Sequence, residues 1–207
     1  MLKNGAVFLG RFNPPTIGHY NVINKMKQYI TSHKDYNINP IILIVVIDGV
    51  ESGKDKSRNP LSAKERIRYM QANKSCNGCK FIIAKDAING FNKVREAGFE
   101  PVFIAGGSDR VDNYMEILEN YDDSIERYMF KVDRNIPKIT DENASGLLDN
   151  ISSGDLKMIS SSLARKAVEL DNLEKFKIIT GTEEGSVGEL MFDKIKKAME
   201  VKDESAT

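Results

Sequence analysis

The sequence predicts an α/β domain: a doubly wound parallel sheet of about five strands, with a small C-terminal helical part. Three observations predict it. Short apolar segments alternate with amphipathic ones along most of the chain. One apolar segment, Ile41–Asp48, is a continuous β-branched run, the pattern of a strand buried on both faces. Polar connections marked by glycine and proline separate the segments. Such alternation implies right-handed crossovers, and ligands on such sheets lie outside the carboxyl ends of the strands.

In chain order, Ala6–Leu9 is the first strand. Gly18–Thr31 reads as a helix, because Val22, Ile23, Met26, Tyr29 and Ile30 recur at helical spacing. Pro40 introduces the Ile41–Asp48 strand. A polar loop, GVESGKDKSRNP, follows it. Ser62 caps the next helix, AKERIRYMQAN, with Glu65 at the reciprocal position of a capping box. Lys80–Ala84 is the third strand, and Ala87–Ala97 is a helix ending at Gly98. Pro101–Ala105 is the fourth strand, followed by GGSDR and a helix through Leu118. Arg127–Val132 is the fifth. Residues 138–157 are polar and rich in glycine and serine, and read as a mobile loop near the functional site. A helix opens at ISSSLAR and runs on through KAVEL. The stretch 171–200 reads as two helices broken by TGTEEGS, placed to cover the sheet or to form an oligomer contact. The last residues, VKDESAT, are expected to fray. The main domain is therefore expected over residues 1–170, with a helical appendage over 171–207.

The 207 residues, 41% of them hydrophobic, suit one such domain with its own core. Thirty basic and thirty acidic side chains cancel. No global field then draws the chain to nucleic acid or to a membrane surface. No apolar run is long enough to span a bilayer. The chain enters its first strand directly, so no signal peptide is expected and a cytoplasmic, reducing setting is. The two cysteines, Cys76 and Cys79, form a C-x-x-C. A zinc site needs four ligands, and His33 is the one further candidate, so the pair is expected to have no function.

The most informative stretch is GRFNPPTIGH, residues 10–19, between the first strand and the first helix. Gly10 lets backbone approach a ligand. Pro14 and Pro15 stiffen the loop. Gly18 and His19 fall at the first turn of the helix, where free N–H groups and the dipole favour anions. Arg11, Thr16 and His19 are thus aimed at one anion, which reads as a phosphate-handling site. The second informative stretch is ISSSLAR, residues 159–165. Ser160, Ser161 and Ser162 at a helix start serve as caps or as donors to phosphate oxygens. Arg165 lies one turn further along and faces the same anion.

GRFNPPTIGH resembles the signature of the nucleotidylyltransferase superfamily, G-x-F-x-P-x-[HT]-x-G-H, matched by Gly10, Phe12, Pro14, Thr16, Gly18 and His19. ISSSLAR resembles that superfamily's I-S-[ST]-[ST]-x-x-[RK] motif, which grips the β- and γ-phosphates. The resemblance covers roughly residues 5–170 and implies a Rossmann-like fold. It also implies a transferase that moves a nucleoside monophosphate onto a phosphorylated acceptor and releases pyrophosphate. On it, His19, Thr16, Arg11 and Arg165 are the catalytic set. Gly10, Arg11, Phe12, Asn13, Gly18, His19, Gly106, Ser108, Asp109, Ile159, Ser160, Ser161, Ser162 and Arg165 are the nucleotide-binding set. Mg²⁺ bridges phosphate oxygens and needs few protein ligands. Thr16 stands where many relatives have histidine. Phosphopantetheine adenylyltransferases also carry threonine there, and their helix motif also reads ISSS.

Lys54, Lys56 and Arg58 are candidates for the triphosphate or the acceptor phosphate, and NPLSAKER is similar to the segment after this strand in several members. GGSDR resembles the G-x-D turn of adenylyl-transferring members, including nicotinamide- and nicotinate-mononucleotide adenylyltransferases. Gly106 and Gly107 would let backbone approach a base or ribose, Ser108 or Asp109 would cap the following helix, and Asp109 would alternatively bind ribose hydroxyls. Those enzymes often carry a tryptophan soon after, to stack on the pyridine ring. This chain has no Trp, and Tyr114 is the substitute. Arg11, directly after Gly10, and the GSD turn look adenylyl-type, so ATP is the expected nucleotide. CTP with a sugar or alditol phosphate is the alternative, although the R-T-x-G-I-S-T run of glycerol-phosphate cytidylyltransferases is absent. A non-catalytic nucleotide-binding or structural module is a further alternative, since the NPPTIGH wording also looks like nucleotidylyltransferase-like proteins of large bacteriophages.

Overall fold

The computed structural model describes residues 2–49, 55–132, 139–152 and 159–200, without the side chains of Ser108, Asp109 and Val132. The chain divides into two compact units.

The first unit, Met1–Arg11, Asn21–Gly49 and Lys74–Arg134, holds the sheet. Its strands are β1 (Lys3–Gly10), β2 (Ile42–Ile47), β3 (Lys80–Ala84), β4 (Phe99–Gly107) and β5 (Tyr128–Val132). All pairings are parallel, in the order β3-β2-β1-β4-β5. The β2 run is buried along almost its whole length, and its neighbours explain why. Alternate residues point to opposite faces, and here both faces are covered. Val7, Leu9, Leu43, Val45 and Ile104 share one apolar cluster with Phe91, Val94, Tyr114 and Leu118. Those last four come from α3 (Ala87–Glu96) and α4 (Ser108–Glu119). On the other face Phe103 stacks on Tyr29 of α1 (Ile17–Ser32), with ring centroids 4.7 Å apart. Gly90 sets the closeness of α3, because a Cβ there would lie 2.8 Å from Val45 Cγ1.

The chain builds outward from β1 to β3 and then returns to β4 on the other side of β1. The strand order thus reverses between β1 and β4, the place where parallel sheets open a crevice at their carboxyl ends. Gly10 and Gly106–Gly107 stand at those ends.

The second unit, Phe12–Tyr20, Val50–Asn73 and Asn135–Thr207, is helical. It comprises the first turn of α1 with α2 (Ala63–Gln71), α5 (Asp141–Asp149), α6 (Ser161–Glu169), α7 (Leu173–Thr180) and α8 (Val187–Glu200). Their core is one cluster that includes Leu148, Leu163, Phe176, Ile179, Phe192 and Ile195. Helices on both sides of residue 170 share that cluster, so the expected boundary there does not separate two cores.

The predicted strands and helices are all present, with ends moved by a few residues. The capping box of α2 forms between Ser62 and Glu65. Two expectations differ. Within the stretch expected to be a loop, 141–149 is helical. Thr140 and Asn143 close a capping box there, and Ala144 and Leu148 are buried. At GGSDR the residue capping α4 is Gly107, so Ser108 and Asp109 are the first helical residues rather than caps.

Candidate functional site

The helical unit gathers most of the residues that the sequence singles out. Phe12 turns the chain with φ 52, a left-handed conformation that is uncommon outside glycine. Its ring is buried and meets His19 edge-on, with centroids 4.9 Å apart. The Asn13–Pro14 peptide is cis. Thr16 then opens α1, its carbonyl accepting from the His19 and Tyr20 N–H groups at 2.9 and 3.3 Å. The Thr16 N–H donates to His19 Nδ1 at 3.0 Å, and Thr16 Oγ1 lies 2.9 Å from the same nitrogen. A nitrogen that accepts from a backbone N–H carries no proton, so the ring proton sits on Nε2. Thr16 therefore fixes His19 as an Nε2–H donor within the first turn of a helix.

The ISSSLAR segment is joined to this loop. Ser160 caps α6, its Oγ accepting from the Leu163 N–H at 3.1 Å. Ser161 Oγ donates to the Pro14 carbonyl at 2.8 Å. Arg165 Nη1 donates to the Asn13 carbonyl at 2.5 Å, and Nη2 donates to Ser162 Oγ at 3.1 Å. A Cβ built on Gly18 would lie 3.9 Å from the Ile159 carbonyl and 3.6 Å from Thr16 Oγ1, so Gly18 has room above it. The N-termini of α1 and α6 are thereby held side by side. The first N–H groups of any helix lack intrahelical acceptors. Two such ends together, with an arginine and an Nε2–H imidazole, make a strongly anion-seeking surface.

Of the expected cations after β2, Lys54 lies outside the described residues. Lys56 and Arg58 are exposed on a tight turn. Asp55 builds that turn, its Oδ1 accepting from Ser57 Oγ at 2.6 Å, Ser57 N at 3.1 Å and Arg58 N at 3.3 Å. The turn leads to Leu61, whose backbone is gripped by the Asn13 side chain. Nδ2 donates to the Leu61 carbonyl at 3.0 Å, and the Leu61 N–H donates to Oδ1 at 3.1 Å.

In the sheet unit, Arg11 is exposed just beyond β1. Gly106 is buried, and a Cβ there would meet Val111 at 3.0 Å and Tyr114 at 3.1 Å. Tyr114 is not an open stacking platform. It is 5% exposed and packs edge-on against Phe91 in the core. The Cys76 thiol is pushed up to about 12, chiefly by burial and also by Cys79 beside it. Burial raises Cys79 as well. Thiols raised in this way are poor nucleophiles near neutral pH. His33 stacks on Tyr29 at 3.9 Å, in a group of aromatic rings that includes Tyr36 and Tyr128. Among the described residues no cluster of three His, Cys, Asp or Glu groups is placed to hold a metal, and no helix is long and apolar enough to cross a membrane.

Two features escape the sequence reading. Asn13 directs its amide to Leu61 backbone rather than outward. Arg66 is 1% exposed, on the buried face of α2 with Ala63 and Met70. Its spacing from those two residues is a readable signal, since an arginine falls on the apolar stripe.

The family model described as cytidylyltransferase-like matches residues 7–167. No curated protein sequence matches the chain significantly. Thirty-six solved chains match its structure. One is the Plasmodium falciparum nicotinic acid mononucleotide adenylyltransferase complexed with NaAD. It aligns with a TM-score of 0.53 and 16% identity, over 94% of this chain and 95% of that one. At that identity the likeness shows the fold.

Proposed function

From the premise that this chain belongs to the cytidylyltransferase-like family, and is thus a nucleotidyltransferase, we propose that it transfers AMP from ATP to a phosphorylated small-molecule acceptor. An acceptor phosphate oxygen attacks the α-phosphorus in line. The bond from that phosphorus to the bridging oxygen of the β-phosphate breaks, and pyrophosphate leaves. The acceptor is already a nucleophile, so catalysis is positioning plus stabilisation of charge on the five-coordinate phosphorus.

The observation that carries the reading is the joining of the α1 and α6 N-termini through Ser161–Pro14 and Arg165–Asn13. That geometry suits a polyanion better than a single carboxylate. His19 Nε2–H donates to the α-phosphate as charge builds. Thr16 holds the imidazole in that tautomer and orientation. Ser162, Arg165 and the first turn of α6 receive the leaving pyrophosphate. Lys56 and Arg58 attract the acceptor phosphate. Gly10, Arg11, Gly106, Ser108 and Asp109 keep the nucleotide roles that the resemblance implies. The donor set at the helix ends is cationic and hydrogen-bond-donating, so it fits phosphates rather than a bare cation. Mg²⁺ would be held by phosphate oxygens and water and would offset their charge.

The test is pyrophosphate release with Mg²⁺, ATP or CTP, and a panel of phosphorylated acceptors, with wild type beside His19→Ala. Release with ATP and one acceptor, lost in the variant, supports the reading. Release with CTP alone replaces AMP by CMP. Silence across the panel with ATP still bound favours a nucleotide-binding module.

A further inference from the structure

We infer that Asn13 is a positioning residue that sets the phosphate-binding loop through its grip on Leu61, and that it does not touch nucleotide itself. The inference rests on the nucleotidyl-transfer reading and goes beyond it.

Asn13 is 2% exposed. Its amide is used at both ends on one residue 48 positions away, with the Nδ2 bond at 3.0 Å and the Oδ1 bond at 3.1 Å. This two-point bridge copies one rung of a β-ladder, so it fixes distance and orientation together. The backbone of Asn13 is held as well, its carbonyl accepting from Arg165 Nη1. The preceding residue, Phe12, adopts its left-handed turn and places its ring against His19. The residue after it, Pro14, accepts from Ser161. Asn13 thus bonds both to the Leu61 segment and to α6. Leu61 in turn follows the Asp55 turn that displays Lys56 and Arg58. Released from Leu61, the Asn13 carbonyl would no longer hold the Arg165 guanidinium in place, and the Phe12 turn would no longer set His19.

The experiment measures MgATP and magnesium pyrophosphate affinity by calorimetry, with amide exchange on the full chain. Wild type, Asn13→Ala, Asn13→Asp, Arg165→Ala and the Asn13→Ala/Arg165→Ala double variant are compared. Asn13→Ala is expected to weaken pyrophosphate by about tenfold, with faster exchange in residues 12–19 and 55–62 and unchanged exchange in the strands. Asn13→Asp keeps the acceptor for the Leu61 N–H and loses the donor, so its loss is expected to be smaller. In the Arg165→Ala background the Asn13 effect is expected to shrink to less than threefold, because both act through one carbonyl. Equal and independent losses would mean that Asn13 contacts ligand directly, which overturns the inference. Wild-type affinity in Asn13→Ala also overturns it. So does global unfolding of both Asn13 variants, which would make the residue part of the general fold. If wild type binds neither probe, the transferase reading fails first and this inference falls with it. If wild type binds and the variants bind equally well, only the inference falls.

Discussion

Ile42–Val46 in the sheet unit and Phe12–Thr16 in the helical unit are equally buried. The first segment packs among apolar neighbours and hydrogen-bonds through its parallel ladders. The second hydrogen-bonds through side chains to distant parts of its own unit: Asn13 to Leu61, Ser161 to Pro14, Arg165 to Asn13. Burial in the sheet thus reports cohesion, whereas burial in the loop reports side chains and backbone held in one orientation by bonds to distant residues, as the proposed function requires. The charged network of the sheet unit makes the same point. Glu100 pairs with Arg95 at 2.8 Å and Arg127 at 3.2 Å, at the amino ends of the strands and away from the glycines at their carboxyl ends.

The contrast breaks if damage to the sheet alters nucleotide affinity, or damage to the loop mainly alters stability. The largest effect is expected for Phe91→Ala. Phe91 is fully buried, and its truncation costs about 3–5 kcal/mol, read by urea unfolding. Nucleotide affinity at a temperature where the variant is folded should match wild type. His19→Ala comes next. Loss of a charge-stabilising donor lowers kcat by about 10²–10³, measured as pyrophosphate release, while the unfolding midpoint moves little.

Gly18→Ala sharpens the contrast because its two effects oppose each other. Alanine in a helix is favoured over glycine by up to about 1 kcal/mol, and the protein leaves room for the methyl group. The new methyl stands over the first turn of α1, so MgATP binding should weaken by calorimetry as the melting temperature holds or rises. Unchanged affinity would remove phosphate from that spot.

The smallest effect concerns the α2 cap. Ser62→Ala should cost about 1 kcal/mol, read as a shift in the urea midpoint. Burial alone would raise the Glu65 carboxyl, but the bond from the Ser62 N–H and the Lys194 ammonium bring it below its ordinary range. A depressed carboxyl lends stability above its unfolded pKa and loses it as pH falls through the folded one. Glu65→Gln should therefore lower stability slightly at neutral pH and flatten the acid side of a stability profile, so that variant and wild type converge as pH falls.

The sheet is legible in the sequence because its signal is local. A β-branched run such as Ile42–Ile47 has one comfortable environment. Helix α5 is hidden for the opposite reason. TDENASGLLDN has few apolar residues and a central Gly146, and the Thr140–Asn143 capping box is the one mark of its start. The candidate site residues His19 and Arg165 are legible as a motif. The bonding partners of Ser161 and Asn13 are not, because they lie 147 and 48 residues away and hydrogen bonds at that range leave no periodic trace. Phe12 adds a third kind of silence, since nothing in a phenylalanine announces a left-handed turn.

The long reach of the Ser161–Pro14 and Arg165–Asn13 bonds bears on biosynthesis. Domains emerge and fold from the N-terminus during translation. All five strands have been made by Val132, whereas the serines and arginine that complete the loop lie at 160–165. A nascent chain stalled between those points would own a finished sheet and only half of its proposed phosphate grip. Ribosome-bound intermediates should therefore resist protease across the strands well before they gain any affinity for pyrophosphate.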